Sequence, residues 1–126
     1  MPAPEMPELL DVIRVVATPE AITTMSSDGI VLQTAPDEAI VLDATDVAVD
    51  DPYAITLPDD GFVGVQLARH DAESWCAREA DWPLPDLDTY FVQGMVAGLA
   101  VKLWVNGDTA LVICRSSLAR DLEERM

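Results

Sequence analysis

The stretch that decides the fold is residues 94–126, GMVAGLAVKLWVNGDTALVICRSSLARDLEERM. Two β-rich apolar runs flank the dipeptide Asn106-Gly107. Both residues of this dipeptide tolerate the positive φ angles that a type I′ hairpin turn requires. The stretch therefore predicts a β-hairpin within residues 95–114, followed by a terminal helix.

Alternation of side chains gives the first strand of this hairpin two different faces. The apolar face consists of Leu99, Val101, Leu103 and Val105. Lys102 and Trp104 fall on the opposite face, together with Ala100. Because aromatic residues dominate binding hot spots, Trp104 and Lys102 are the candidate partner-binding residues. Packing of Trp104 in a core is the alternative.

The terminal helix is predicted from spacing and from capping residues. Arg115 ends the second strand, and Ser116 or Ser117 is suited to cap the helix N-terminus. Residues 118, 122 and 126 are apolar and recur at helical spacing. They are expected to face the core.

The upstream chain predicts the remaining elements. β-branched residues favour a strand over 12–17, followed by a helical turn at 19–25. A hairpin is predicted where 30–32 and 40–42 flank Pro36 and Asp37.

A strand over 62–67 then leads to a helix with Asp71 as N-cap, which Pro83 and Pro85 end. Its core face is predicted to contain Ala72, Trp75, Cys76 and Ala80. Residues 84–93 are expected to be a connector.

This order of elements predicts an α+β fold with an antiparallel sheet and two helices. From Phe62 onward the order is β-α-β-β-α, close to a ferredoxin-like arrangement. We expect a single domain over 1–126, in which the proline-rich residues 1–8 form an extended arm.

The charge balance is extreme. The chain has 23 Asp and Glu against 7 Lys and Arg, a formal net charge of −16. Such a surface repels nucleic-acid phosphates. No apolar run approaches the ~18 residues needed to cross a membrane, and the N-terminus lacks a secretory signal pattern. We therefore expect a cytoplasmic protein that binds neither nucleic acid nor membranes.

Residues with catalytic or metal-binding chemistry are sparse. His70 is the only histidine and precedes a helix start, where a surface or capping role is the usual one. The pairs Asp50-Asp51 and Asp59-Asp60 do not fit calcium-loop spacing. Cys76 and Cys114 lack metal-ligand spacing and are expected to be buried free thiols. No catalytic residue, metal or cofactor is predicted.

Three stretches resemble the small (gamma) subunit of heterotetrameric sarcosine oxidase, in the T-protein-like, folate-binding superfamily. Residues 32–42 resemble its apolar–x–x–Gly-Pro-Asp-Glu-Trp–apolar hairpin, although Ala35 and Ala39 replace the Gly and the Trp. Residues 65–85 resemble its strand and helix. Residues 91–126 resemble its Phe–x–x–Gly start, hairpin and closing Arg-Ser-x-x–helix.

The resemblance implies a non-catalytic subunit that contacts larger, cofactor-bearing subunits. It supplies no catalytic residue. We therefore expect a binding module whose partner is a larger subunit or a second copy. The alternative is a stand-alone acidic regulator, or a mimic of nucleic acid, that binds a basic partner. An enzyme that uses His70 and loop carboxylates is the third hypothesis.

Overall fold

Antiparallel sheets dominate the computed structural model, which describes residues 7–126. The strands are β1 (Glu8–Leu9), β2 (Val12–Val16), β3 (Ser26–Ser27), β4 (Ile30–Ala35), β5 (Glu38–Leu42), β6 (Val47–Ala48), β7 (Ile55–Pro58), β8 (Phe62–Ala68), β9 (Thr89–Val96), β10 (Leu99–Asn106) and β11 (Thr109–Arg115). The helices are α1 (Pro19–Thr24), α2 (Arg69–Glu79) and α3 (Ala119–Arg125), with a 3₁₀ turn at Ser116–Leu118. The predicted α+β class is confirmed.

The chain divides into two compact units. The smaller unit is Leu10–Asp60, and the larger unit is Gly61–Met126 together with residues 7–9. Each unit has a sheet and an apolar cluster. Folding of the chain as a single domain stays a prediction, and most of the predicted arm lies outside the described residues.

The larger unit contains a five-stranded sheet in the order β1-β8-β11-β10-β9. Its neighbouring strands are all antiparallel. The predicted hairpin is confirmed as β10 and β11, which pair from Lys102↔Ile113 to Asn106↔Thr109. The prediction of a connector was wrong for residues 89–93, because they form most of edge strand β9. The observed order, β-α-β-β-β-α, therefore has one strand more than predicted.

The predicted turn type was also wrong. Asn106 and Thr109 are paired, so Gly107 and Asp108 are the two central residues. Of residues 106–109, all described, only Gly107 has a positive φ, +61°. A positive φ at the first central residue alone is typical of a type II′ turn. The type I′ pattern occurs instead between β9 and β10, where Ala97 and Gly98 have φ angles of +53° and +80°.

Helices α2 and α3 cover one face of this sheet. Their buried residues, Ala72, Trp75, Cys76 and Leu122, join a core cluster with the inward residues of β8 to β11. The predicted core face of the first strand of the hairpin is confirmed, because Leu99, Val101, Leu103 and Val105 are all buried. Trp75 Nε1 also donates a hydrogen bond to the carbonyl oxygen of Arg125 at 2.8 Å, which ties α2 to the end of α3.

Both predicted helix caps of this unit were wrong. Asp71 lies in the first turn of α2, and its N-cap is Ala68. Ser116 and Ser117 belong to the 3₁₀ turn, and Leu118 is the N-cap of α3. Strands β8 and β11 run directly into helical turns, so backbone geometry starts these helices without a capping side chain.

The smaller unit contains a four-stranded antiparallel sheet in the order β4-β5-β2-β7, a two-stranded ladder of β3 and β6, and α1. The predicted upstream hairpin is confirmed, with Ile30 opposite Leu42 and Leu32 opposite Ile40. The hydroxyl of Thr18 caps α1 by accepting from the Ala21 N–H at 3.3 Å. The core cluster of this unit contains Val15, Ala17, Ala21, Ile22, Ala39 and Val41.

Candidate partner-binding surface

Trp104 and Lys102 lie on the face of the large sheet that points away from the two helices. Both side chains are partly exposed, whereas their neighbours Leu103 and Val105 are buried on the helix side. The strand register places Trp104 between Phe91 on β9 and Leu111 on β11. Directly opposite residues have Cβ atoms about 4.5–5.5 Å apart, so these three side chains are neighbours.

Met95 extends this apolar surface toward the open edge of the sheet. Met95 belongs to β9 and lies opposite Ala100 of β10, and it is 56% exposed. We call Phe91, Met95, Lys102, Trp104 and Leu111 the outer stripe. Phe91 was missed because residues 89–93 were interpreted as a connector, and Met95 was included in the predicted hairpin 95–114 without a partner-binding role. The alternation of Tyr90, Val92 and Val96 was the available signal, and Gly94 interrupts it.

Lys102 is held on the stripe by a polar neighbour and by an aromatic ring. Its Nζ donates a hydrogen bond to Gln93 Oε1 at 2.9 Å and lies 6.0 Å from the centroid of the Phe62 ring. The guanidinium of Arg115 lies 4.1 Å from the same centroid. A cation over an aromatic face is attracted by the ring quadrupole. Two cations of an acidic protein therefore flank one ring on this face.

A second polar arrangement joins α2 to the loops at the end of the sheet. The Arg69 guanidinium donates to the carbonyl oxygens of Leu87 at 2.6 Å, Asp88 at 3.0 Å and Gly107 at 3.3 Å. Its Nε donates to Glu73 Oε1 at 2.9 Å. One arginine therefore links the chain before β9, the β10–β11 turn and α2.

Glu73 completes this arrangement by accepting from the buried Tyr90 hydroxyl at 2.7 Å. Burial raises the pKa of Glu73, but the hydrogen bonds from Tyr90 and Arg69 outweigh it and hold that pKa below its ordinary value. Burial and the bond to Glu73 raise the pKa of Tyr90. The Glu73 carboxylate thus stays ionised and the Tyr90 phenol stays neutral. Arg69, Glu73 and Tyr90 therefore form a structural network in which donors and acceptors are matched.

The hydrogen bonds of this arrangement involve Arg69, Glu73 and Tyr90, and His70 is not among their donors or acceptors. It is exposed in the first turn of α2, beside Arg69. The two cysteines lie in the core as buried free thiols, which confirms the prediction for them. Burial, with the charge of Glu73, raises the pKa of Cys76 to about 11, and burial raises the pKa of Cys114. Both thiols are therefore protonated near neutral pH and poor nucleophiles.

The loop carboxylates of the smaller unit have a structural role at one position. Asp28 accepts a hydrogen bond from the Thr45 hydroxyl. It also accepts from the N–H groups of Thr45 and Asp46, and these two bonds are 3.0 Å long. The bond from the Thr45 hydroxyl, then those from the two N–H groups, lower the pKa of Asp28 to about 2. Within residues 7–126, no three His, Cys, Asp or Glu side chains are grouped to hold a metal ion.

Of the helices in the described part of the chain, none has the length and apolar character needed to cross a membrane. No family model, curated protein or solved structure matches the chain.

Proposed function

We propose that this chain is a non-catalytic protein-binding module that contacts its partner, a larger subunit or a second copy, through the outer stripe. The observation that carries the proposal is the partly exposed row of Phe91, Trp104 and Leu111 across three adjacent strands, which Met95 extends at the sheet edge. Contiguous exposed apolar surface is typical of interaction sites.

The composition of the stripe fits a binding hot spot. Tryptophan combines a large apolar area with few rotatable bonds, so Trp104 loses little conformational entropy when a partner covers it. Met95 is flexible and adapts to the shape of a partner. Lys102 adds a positive charge to a chain of formal charge −16, which would orient an acidic part of the partner.

The resemblance to the gamma subunit of sarcosine oxidase supports a subunit role. Its three stretches fall on the β4–β5 hairpin, on β8 with α2, and on β9 to α3. The last of them includes the whole outer stripe. We also propose that the larger unit has a ferredoxin-like arrangement, which is supported by its antiparallel sheet with both helices on one face.

The test compares Trp104→Ala with Leu87→Ala. Leu87 is 59% exposed and lies outside the stripe, so Leu87→Ala is a matched control that removes exposed apolar surface elsewhere. Light scattering measures self-association, and quantitative affinity capture from the native cells measures partner binding. Trp104→Ala should reduce either self-association or partner binding by about tenfold or more, as expected for a hot spot. Leu87→Ala should change neither.

The stability of the variant separates a binding role from a packing role. Trp104→Ala removes cross-strand contacts with Phe91 and Leu111, and about 1 kcal/mol of unfolding free energy should be lost. A loss several times larger, with association intact, would show that Trp104 serves the fold and would refute the proposal.

A further inference from the structure

The negative charge of this protein is concentrated in the smaller unit. Residues 10–60 contain 11 Asp and Glu against one base, Arg14, a formal charge of −10. Residues 61–126 contain 10 Asp and Glu and 6 Lys and Arg, a formal charge of −4. The guanidinium of Arg14 is itself bonded to Glu38 at 2.8 Å. The charged side chains of the smaller unit are therefore almost all anionic.

This unit also exposes large apolar side chains at one edge. Tyr53 is 88% exposed, Ile55 53% and Leu57 57%. Ile55 and Leu57 belong to β7, an edge strand of the four-stranded sheet, and all four residues of β7 are exposed. We call Tyr53, Ile55 and Leu57 the β7 row. Such a row is a different feature from the outer stripe, which lies on the larger unit.

The pairing of β7 shows which groups the row presents. Ile55 and Leu57 lie opposite Val16 and Arg14, so their side chains share one face of the sheet. The Asp59 N–H donates to the Val12 carbonyl at 2.8 Å. Because hydrogen-bonded pairs alternate along a ladder, the backbone of Pro58 is directed to the open edge, where it has no N–H to donate. The proline therefore hinders pairing with an added strand at this end of the edge, and the exposed side chains of the row are the groups proposed to contact a partner.

Carboxylates bracket the row at both ends. Asp50 and Asp51 precede it, and Asp59 and Asp60 follow it. The Asp51 carboxylate is fixed in place, since it accepts from the N–H groups of Tyr53 at 2.9 Å and Thr18 at 3.1 Å.

An open cleft of about 270 Å³ adjoins Leu57. It is lined by Ile13, Thr45, Asp46, Val47, Thr56, Leu57 and Pro58. Asp46 is exposed, and it is the one charged residue in this lining. Ile13, Thr56 and Pro58 lie on the face of the sheet opposite to the Ile55 and Leu57 side chains, because side chains alternate along a strand, so this cleft is separate from the β7 row.

We propose that the β7 row is a docking site for a basic segment of a partner protein, in which apolar side chains alternate with lysine or arginine. The apolar side chains cover Tyr53, Ile55 and Leu57, and the cationic groups face the bracketing carboxylates. Charge selects this occupant: a second copy would bring a unit of the same −10 charge against the row. Apolar contact provides affinity, and the carboxylates provide attraction over distance and specificity.

The test titrates the full-length protein with a short labelled peptide of alternating lysine and leucine and follows its fluorescence anisotropy. Wild-type protein should bind it, and added salt should weaken the binding. The double variant Ile55→Ser/Leu57→Ser should weaken it by about tenfold or more, because burying even one leucine-sized side chain is worth about a factor of ten. A peptide of alternating glutamate and leucine should not bind.

Leu87→Ser is the matched control, since Leu87 is as exposed as Leu57 but lies in the larger unit. It should leave the affinity unchanged. Thermal unfolding of the double variant checks its fold. If that variant unfolds, Tyr53→Ser replaces it, because a side chain that is 88% exposed contributes little to packing. The weakening expected of this single change is severalfold.

Three outcomes would overturn the proposal. The first is equal peptide affinity for wild type and the β7-row variants. The second is an equal loss in Leu87→Ser, which would reveal unspecific binding to an acidic protein. The third is a wild-type dimer in sedimentation that the double variant abolishes, which would make the row an interface between copies. None of these involves Trp104, so the proposal fails or succeeds separately from the function assigned to the outer stripe.

Discussion

The indole ring of Trp82 lies directly against the backbone of Gly94. A Cβ at residue 94 would be 2.8 Å from Cε2 and Nε1 of that ring, closer than real Cβ contacts allow. The ring also donates from Nε1 to the carbonyl oxygen of Met95 at 2.9 Å. A residue beyond the end of α2 therefore fastens edge strand β9, and Gly94 is required because only its hydrogen leaves room for the ring.

This contact predicts that Gly94→Ala destabilises the protein by about 1–3 kcal/mol, the usual cost of overpacking. The same substitution in a Trp82→Ala background should cost much less, because the clashing ring is gone. Chemical denaturation of the four proteins of this double-mutant cycle measures the coupling. Equal costs in the two backgrounds would show that the ring does not hold β9.

Gly107→Val should lower the unfolding free energy by about 1 kcal/mol or more, because the φ of +61° is strained for a β-branched residue. Space is not limiting, since no atom beyond Gly107 and its two chain neighbours lies within 4 Å of a Cβ at this position. Asp108→Val is the control at the next turn residue, which lacks a positive φ, and it should cost less. Thermal unfolding checks both, and an equal effect would argue against strain at Gly107.

Arg69→Ala should lower the unfolding midpoint well below that of Arg120→Ala. Arg69 binds three carbonyl oxygens and Glu73, so its loss releases two loops from α2 at once. Arg120 contacts Glu124 at 3.4 Å with a side chain that is 91% exposed, and exposed pairs of this kind contribute little. Differential scanning calorimetry compares the variants. Similar midpoints would mean that the Arg69 contacts are replaced by water at no cost.

Asp28 should make stability depend on pH in the acid range. Its folded pKa of about 2 lies below the ordinary value of 3.8, so the folded state favours the carboxylate. The stabilisation is therefore fully present above the ordinary pKa and is lost as the pH falls toward 2. The difference in midpoint between wild type and Asp28→Asn should be large near pH 6 and small near pH 2.

Thr45→Val is the matched control for this titration. It removes the hydroxyl donor but keeps the two backbone N–H donors to Asp28, so the pH-dependent difference should be smaller than for Asp28→Asn. A difference between wild type and Asp28→Asn that stays constant with pH would show that Asp28 acts through shape and not through its charge.

Local patterns predicted the hairpins well. Turn residues and alternation place Leu99 and Leu103 in the core and Trp104 on the other face, and these assignments hold because alternation is set by the backbone of a single strand. The helix caps failed for the opposite reason. A serine or aspartate near a helix start is a weak signal when the chain enters the helix directly from a strand.

Strand β9 could not be predicted in the same way. Gly94 breaks its apolar alternation, and the indole that fills the gap comes from residue 82, twelve positions earlier. Phe91 and Met95 were therefore not recognised as neighbours of Trp104. Arg69 was missed as well, because its carbonyl partners at Leu87 and Gly107 become neighbours only when the sheet forms.

By itself, the sequence determined the β10–β11 hairpin, the faces of Trp104 and Lys102, and the excess of negative charge. These properties depend on turn chemistry, on the two-residue period of a strand and on composition, all of which are local. The tertiary structure alone decided that β9 lies beside β10 and that β7 is an edge strand with Ile55 and Leu57 exposed. Pairing between distant strands costs the entropy of closing the loop between them and is favoured by the apolar surface that the pairing buries. The balance of these two terms is a property of the whole chain.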